Sequence, residues 1–496
     1  MKIIFCKIGI PALVALIILS SCTKSFEEVN TDPDALTTTP PTNQLANVIR
    51  NTGEQFGGDV DGFGTFAGYI VKIQYLDYMG GLKPDNNGYG NRWYACYYNN
   101  TQLKDLLEKT EAAADSYKNI RMVARIWQCY MWQYLTDGWR DVPYTEALKG
   151  SEEEGSILRS KYDKQEDIYP SVMADLKAVA DEMAAGFGTD ELGEGDLIYK
   201  EGGREMERWQ RFCNSLRLRM AIRISGVSPV LAKSTIEEIC GNPDKYPVIE
   251  SNVDNCYLKW PGAAPYYEPW YKTGYVDRRI DNFGMSDIFI DHLKQTQDPR
   301  IRTVANAASD GEYRGYQNGA ATIPPELSEI SFIGDRYMKD AGGFTPFFKS
   351  CESYYIIAEA AMLGYSVGIS AQNAYEKAVR LSMEDNGLTT ADANTYLAGK
   401  GKWNNTKERI WWDMWVALFK NNFEAWALYR RTGIPSTNYP SLNSVYGDAH
   451  NDQPFRIPYP NNQYLYNKKN LDVVLANVVD YAWGQQMWWD TRTGVK

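Results

Sequence analysis

Aromatic and polar side chains are concentrated in two segments of the chain, and this mixture is suited to binding a sugar. The segments are residues 80–94 (GGLKPDNNGYGNRWY) and 260–279 (WPGAAPYYEPWYKTGYVDRR). A pyranose presents C–H groups that stack on a ring and hydroxyls that hydrogen-bond to amides, carboxylates and guanidinium groups. Prolines in the second segment restrict the backbone, which lowers the entropic cost of binding. The two segments therefore predict a ligand face built from loops.

Nine residues of these segments are the predicted ligand contacts. We expect ring stacking from Tyr89, Trp93, Tyr267, Trp270 and Tyr271, and polar contacts from Asn91, Arg92, Glu268 and Arg278. Aromatic side chains at the base of a loop often pack inward, so a buried Trp270 is the alternative. In that case the prediction moves to residues 309–346, with Tyr313, Tyr316 and Asn318.

The sequence contains no motif that indicates catalysis. The one GxSxG match, at residues 364–368, follows a helical apolar pattern and not a strand, so it is no nucleophile elbow, and neither a GxxxxGK[ST] loop nor a strand-framed GxGxxG loop occurs. The only histidines are His292 and His450. A glycosidase needs two carboxylates about 5 to 10 Å apart, but no local pattern distinguishes any pair among the 63 acidic residues. We therefore predict no enzymatic activity, no cofactor and no metal site, and an exported hydrolase on a helical scaffold is the alternative.

The charge balance excludes nucleic acid as a partner. The 496 residues include 63 acidic and 52 basic residues, which give a formal net charge of −11. A phosphate-binding surface requires concentrated Lys and Arg. An acidic chain with 35 tyrosines is compatible with neutral glycans and with basic peptides alike.

The first residues resemble a lipoprotein signal peptide. Lys2 and Lys7 precede an apolar run at residues 8–19, which is shorter than the roughly 20 residues that a membrane-spanning helix needs. The run ends in the sequence LSSC, which is similar to the bacterial lipobox and places the acylated residue at Cys22. Several acyl chains give stable anchoring. We expect Cys22 to become the lipid-anchored N-terminus.

Three segments of the chain follow from this pattern. Residues 1–21 are predicted to be the signal peptide, residues 22–41 a lipid-anchored tether rich in Pro and Thr, and residues 42–496 a single helical domain. Six further cysteines are expected to be mostly buried thiols, and Cys240 with Cys256 is the only spacing that favours a disulfide.

Helical periodicity dominates the rest of the chain. Apolar residues recur at helical spacing in residues 121–135, 208–225, 351–362, 371–383 and 408–430. The tryptophans in these helices, Trp127, Trp415 and Trp426, are predicted to be core residues. Short connections between successive helices indicate antiparallel pairs, and long irregular insertions separate the pairs. The predicted fold is all-α, mainly helical, with the insertions forming the ligand face.

Seven segments occur in the order found in the SusD-like (SusD/RagB) family of outer-membrane nutrient-binding lipoproteins, and the chain resembles its second, shorter subgroup. The segments are residues 21–35, 134–147, 208–225, 352–364, 375–388, 423–435 and 456–464. The resemblance implies a tetratricopeptide-like helix-pair scaffold with a ligand face made by loops. It also implies binding without catalysis. Ligand contacts vary across the family, so none is transferred to this chain.

The resemblance further implies a location and a partner. Members of this family capture oligosaccharides, or peptides in some branches, at the surface of the outer membrane. They deliver the nutrient to a TonB-dependent, SusC-like barrel in the same membrane. Glu27 and Glu28, directly after Cys22, resemble the surface-export signal of such lipoproteins and indicate an outward orientation.

Overall fold

Helices form most of the chain in a computed structural model that describes residues 39–58, 60, 62–74, 90–150, 157–320, 322–437, 450 and 452–496. In chain order the α-helices are α1 (Pro41–Gly57), α2 (Phe63–Phe66), α3 (Gly90–Lys109), α4 (Lys118–Trp139), α5 (Gln165–Ala185), α6 (Glu205–Arg223), α7 (Pro229–Gly241), α8 (Pro269–Tyr271), α9 (Asp287–Gln295), α10 (Ile301–Val304), α11 (Asp335–Met338), α12 (Ser350–Met362), α13 (Ala371–Asp385), α14 (Thr390–Ala398), α15 (Lys407–Ala417), α16 (Asn422–Thr432), α17 (Asn461–Tyr466) and α18 (Lys468–Leu475). The predicted all-α class is confirmed.

Local sequence signals set the ends of several helices. The hydroxyl of Thr389 accepts a hydrogen bond from the backbone N–H of Asp392, whose carboxylate accepts one from the backbone N–H of Thr389, so α14 begins with a capping box. The side-chain oxygen of Ser370 accepts a hydrogen bond from the backbone N–H of Asn373 and so caps α13. Helix α16 ends at Gly433, whose φ of 74° is the left-handed conformation that glycine adopts most easily.

Successive helices pack against each other. Neighbours in the series α3, α4, α5, α6 and α7 are in contact, and α12 packs against α13, which contacts α14. The turn between α12 and α13 begins at Gly364, which has a φ of 78°. This arrangement is the helix-pair scaffold that the sequence predicted.

In the described part of the chain, six short strands form two small antiparallel sheets beside the helices. The strands are β1 (Ile70–Lys72), β2 (Cys256–Lys259), β3 (Phe283–Met285), β4 (Ala305–Asn306), β5 (Phe332–Ile333) and β6 (Phe344–Phe348). The first sheet has the order β1-β3-β5-β4, and the second joins β2 to β6. In the first sheet, Phe332 of β5 lies between Gly284 of β3 and Asn306 of β4. The sheets connect loop segments that are far apart in the sequence.

One hydrophobic core joins most of the helices. Trp127, Trp415 and Trp426 are fully buried, so the prediction that they are core residues is confirmed. All six cysteines of the described chain are free thiols, and only Cys240 is partly exposed. The disulfide between Cys240 and Cys256 is therefore absent, and the expectation of mainly buried thiols is confirmed.

The N-terminal segments lie mostly outside the part of the chain that the structure describes. Residues 1–38, which include Cys22, are not among the described residues, and residues 41–496 form one compact unit. Within the described ranges no helix has the length and hydropathy needed to cross a membrane.

A buried network of charges ties α6 to three other helices. Arg223 donates hydrogen bonds to Asp137 on α4 and to Glu424 on α16. Arg219 forms an ion pair with Glu352 on α12, at 2.6 Å between Nε and Oε1, and its Nη1 lies 3.5 Å from Oε1 of Glu424. All five side chains are buried. Each of the three carboxylates is paired with at least one of the two guanidinium groups, as buried ions require.

We expect this network to make the protein sensitive to acid. Burial alone would raise the pKa of Glu424, but Arg219 and Arg223 outweigh it and lower that pKa to about 2. The pKa of a glutamate side chain in the unfolded chain is about 4.3. Because the folded pKa is the lower one, the stabilisation from Glu424 is complete above this pH and is lost as the pH falls towards 2.

Urea unfolding of the wild type and of Glu424→Gln between pH 7 and pH 3 tests this expectation. The free energy of unfolding of the wild type should fall more steeply below pH 4.5 or so than that of the variant, which lacks the titrating group. Parallel pH profiles for the two proteins would contradict the assignment.

Candidate ligand-binding site

Three tyrosines form a ladder along a short helical segment and the residue before its N-cap. Tyr267, Tyr271 and Tyr275 are spaced four residues apart, and α8 continues into a π-helix at Lys272–Val276. The ring centroids of Tyr267 and Tyr271 are 5.6 Å apart. Those of Tyr271 and Tyr275 are 5.2 Å apart with an interplanar angle of 23°. Tyr271 and Tyr275 are one turn apart on this segment, which explains their contact, whereas Tyr267 lies directly before the N-cap Glu268. We call these three residues the tyrosine ladder.

The ladder faces solvent on one side. The side chain of Tyr275 is 37% exposed, and those of Tyr267 and Tyr271 are half-buried. An adjacent ring, Tyr266, has the same exposure, and the guanidinium carbon of Arg50 lies 4.9 Å from its centroid. Part of each ring is therefore accessible to a ligand while the rings stay packed against the protein.

Two buried residues hold the ladder in place. The carboxylate of Glu268 caps α8 by accepting a hydrogen bond from the backbone N–H of Tyr271 at 2.9 Å, and it pairs with the ammonium of Lys420 at 3.0 Å. Pro269 at the first helical position is pre-set for a helix start. Trp270 is fully buried and meets the ring of Phe419 edge to face, with 5.7 Å between centroids.

A cavity of about 220 Å³ opens beside the last tyrosine of the ladder. Its apolar wall consists of Ile280, Phe283, Phe332, Ile333 and Met338, and its polar groups belong to Asp281, Asn306, Asp335 and Lys339. We call it the Tyr275 cavity. It combines an aromatic ring at the rim, an apolar wall and a few polar groups, the composition typical of a small-molecule site.

Three of the polar groups form a connected set. Oδ2 of Asp335 lies 2.8 Å from the ammonium of Lys339, and its Oδ1 accepts a hydrogen bond of 2.7 Å from the amide of Asn306. Partial burial raises the pKa of Asp335, but these two hydrogen bonds outweigh the effect and lower it. The hydrogen bond to Asp335 raises the pKa of Lys339. Both groups are therefore charged at neutral pH.

Asp281 differs from the other polar groups of the cavity. It is exposed and has no hydrogen-bond or ion-pair partner within the described ranges. Its carboxylate can accept hydrogen bonds from a ligand without giving up a bond inside the protein.

Four of the predicted contact residues are buried, and the prediction is wrong for these. Trp270 and Glu268 are fully buried, and Trp93 and Arg92 have 2% and 9% of their surface exposed. Trp93 lies on α3, where its ring packs against those of Trp139 and Tyr459. A ring enclosed in this way has no face for a ligand.

The remaining predicted residues have different environments. Tyr267 and Tyr271 belong to the tyrosine ladder, and Arg278, with a φ of 56°, is exposed shortly after it. Asn91 is exposed at the start of α3, and Tyr89 lies outside the described residues. Their role in binding stays a prediction. The same holds for the alternative at residues 309–346, where Tyr313 and Tyr316 are half-buried and Asn318 is buried.

The polar residues of the cavity carry no local signal in the sequence. Asn306, Asp335 and Lys339 approach Tyr275 because β4 pairs with β5 and β5 pairs with β3. Strands of two or three residues leave no alternating pattern in a sequence. Tyr275 could have been selected, since it continues the four-residue spacing of Tyr267 and Tyr271.

No group of three or more His, Cys, Asp or Glu side chains that could hold a metal ion occurs in the described ranges. The site can stack rings and exchange hydrogen bonds with a ligand.

Most of the chain matches one family model. The family model SusD-like_2, described as "Starch-binding associating with outer membrane", matches residues 33–460. The search among curated proteins returned no match.

Several solved structures share the fold. A structure described as a chitin-binding protein has 26% sequence identity and a TM-score of 0.78, and the match covers 91% of this chain and 100% of that one. A chitin-binding SusD homolog from Flavobacterium johnsoniae has 22% identity and a TM-score of 0.74, with 91% and 98% covered. A SusD-like protein from Bacteroides thetaiotaomicron has 21% identity and a TM-score of 0.77, with 92% and 100% covered.

Proposed function

Since the chain belongs to the SusD-like family, we propose that it captures an oligosaccharide at the cell surface and delivers it to a TonB-dependent, SusC-like barrel. The family description names binding and association with the outer membrane. The protein is accordingly a binding protein and not an enzyme. The anchor at Cys22, the tether at residues 22–41 and the outward orientation are parts of the same proposal.

The tyrosine ladder is the observation that carries the oligosaccharide proposal. Neighbouring rings of the ladder have centroids 5.6 and 5.2 Å apart, and the last ring lines the Tyr275 cavity. Starch and chitin, the polymers named for the family and for two of the similar structures, are both chains of pyranose rings. Stacking of such rings on aromatic side chains does not depend on the polymer's substituents. We therefore propose the ladder and Arg278 as the ligand face.

Replacing Tyr271 with alanine should weaken oligosaccharide binding. We expect a loss of about 1 to 3 kcal/mol, or roughly 5- to 150-fold in Kd, because an anchoring ring is removed and Tyr267 and Tyr275 lose the ring that both contact. Isothermal titration calorimetry with tetramers of N-acetylglucosamine, β-1,4-linked glucose and α-1,4-linked glucose measures this change.

The matched control is Tyr481→Ala, which removes a ring that is 54% exposed outside the ladder. This variant should bind as the wild type does. An unchanged affinity in Tyr271→Ala, with a tetramer that binds the wild type, would contradict the proposed face. Binding of basic peptides in place of all three tetramers would favour the peptide alternative.

Replacing Cys22 with alanine should release the protein from the membrane. Acylation requires the thiol, and no other acyl anchor is proposed. Membrane fractionation of cells that express the wild type or Cys22→Ala, followed by immunoblotting, measures the distribution. Recovery of the variant in the outer-membrane fraction would contradict the anchor, unless the barrel alone retains it. Co-purification of a barrel-sized protein from detergent-solubilised membranes would separate these two cases and would test the partner directly.

A further inference from the structure

We infer that the Tyr275 cavity binds the acetamido group of an N-acetylhexosamine, so that the ligand is an amino-sugar glycan. The inference deepens the proposed function and depends on it. Stacking on the tyrosine ladder recognises a pyranose of any kind, whereas the cavity can distinguish the substituents on that ring.

The cavity is too small for a whole oligosaccharide and lies at one edge of a sugar stacked on the ladder. Its volume of about 220 Å³ is below the roughly 300 to 1,000 Å³ of pockets that enclose a whole drug-sized ligand. Tyr275 lies both in the ladder and at the rim of the cavity. A sugar ring stacked on Tyr275 would therefore have one edge at the cavity mouth.

The apolar wall favours a methyl group over a hydroxyl. The buried rings and chains of Phe283, Ile333 and Met338 form much of this wall. A hydroxyl placed against them loses its hydrogen bonds to water, and this is unfavourable. An acetamido methyl placed there leaves water for an apolar surface, and this is favourable.

The polar groups match the two polar ends of an amide. The amide nitrogen of Asn306 already donates to the carbonyl of Ile333 at 3.1 Å and to Asp335 at 2.7 Å, so Asn306 has only its oxygen left to offer. Asp281 is also a pure acceptor. Lys339 uses one of its donors on Asp335. An acetamido N–H has its acceptor in Asp281, the carboxylate without a partner in the described ranges, and its carbonyl has a donor in Lys339.

The charge of the cavity excludes acidic sugars. The carboxylates of Asp281 and Asp335 outnumber the single ammonium of Lys339, which leaves an excess negative charge. A uronate or sulfate group would meet like charge here. A neutral acetamido group would not.

Calorimetry with three β-1,4-linked tetramers tests the inference. They are the tetramers of N-acetylglucosamine, of glucose and of glucosamine, the last being the deacetylated form of the first. The wild type should bind the N-acetylated tetramer at least about 10-fold more tightly than either of the others, because only that tetramer fills the wall and satisfies both polar ends. Equal affinity for the glucose tetramer would overturn the inference and leave the proposed function intact. Tighter binding of the deacetylated tetramer would also overturn it, since the cavity would then hold an ammonium group.

A variant at the cavity provides the second measurement. Asp281→Asn should weaken binding of the N-acetylated tetramer by about 10-fold and leave the affinity for the glucose tetramer unchanged. The substitution removes the charged acceptor for the acetamido N–H, a group that the glucose tetramer lacks. The matched control is Asp277→Asn, an exposed acid of the same loop that does not line the cavity. It should change neither affinity. Failure of the wild type to bind any sugar tetramer would overturn the proposed function and the inference together.

Discussion

Replacing Trp270 with alanine should lower the free energy of unfolding by about 3 to 5 kcal/mol, although the residue lies in an irregular segment. The side chain is fully buried. Its ring contacts Phe419, and the ammonium of Lys420 lies 5.1 Å from its centroid. Truncation to alanine leaves a cavity that the fixed positions of α8 and α11 cannot close.

Urea unfolding of Trp270→Ala, Trp270→Phe and Tyr275→Ala measures the effect. Trp270→Phe should lose much less, because it keeps a large ring and removes an indole N–H that has no hydrogen-bond partner within the described ranges. Tyr275→Ala removes a partly exposed ring and should cost less than about 1 kcal/mol of stability. A Trp270→Ala variant with wild-type stability and lost ligand affinity would show that Trp270 contacts ligand after all.

Trp270 and Tyr271 differ in burial, and the sequence alone does not predict this difference. The two residues are adjacent, aromatic and flanked by the same prolines and tyrosines, so composition gives them the same expected role. The structure separates them because Glu268 pairs with Lys420, a residue of the distant connection between α15 and α16. That long-range contact fixes which side of the short helix faces inward, and no local pattern contains it.

Trp93 shows a different kind of error. The sequence segment 80–94 was interpreted as a loop, but α3 begins at Gly90, so Trp93 is a helical residue. Cys96, Asn100 and Leu103 continue its buried face at helical spacing. This signal was present in the sequence and was outweighed by the Gly and Asn residues before it. The long helices, by contrast, could be predicted because their apolar periodicity is sustained over several turns.

Replacing Arg219 with methionine should also lower the free energy of unfolding by about 3 to 5 kcal/mol. The guanidinium donates to Glu352 at 2.6 and 2.8 Å and to the carbonyl of Phe347 at 2.8 Å, and both charged side chains are 1% exposed. Methionine fills much of the volume but leaves Glu352 as an unpaired buried carboxylate. The loss therefore arises from desolvated charge and only secondarily from packing.

Two further variants separate these causes when all are unfolded in urea. Arg302→Met removes an ion pair with Asp392 of similar length, 2.6 Å, but the arginine is 54% exposed, so the loss should stay below about 1 kcal/mol. The double variant Arg219→Met/Glu352→Met removes both buried charges and should regain part of the stability lost in Arg219→Met, since apolar residues can replace a buried ion pair at little cost. A double variant less stable than the single one would instead mean that Glu352 stabilises α12 independently of Arg219, and that the network is held together by packing and backbone contacts more than by charge.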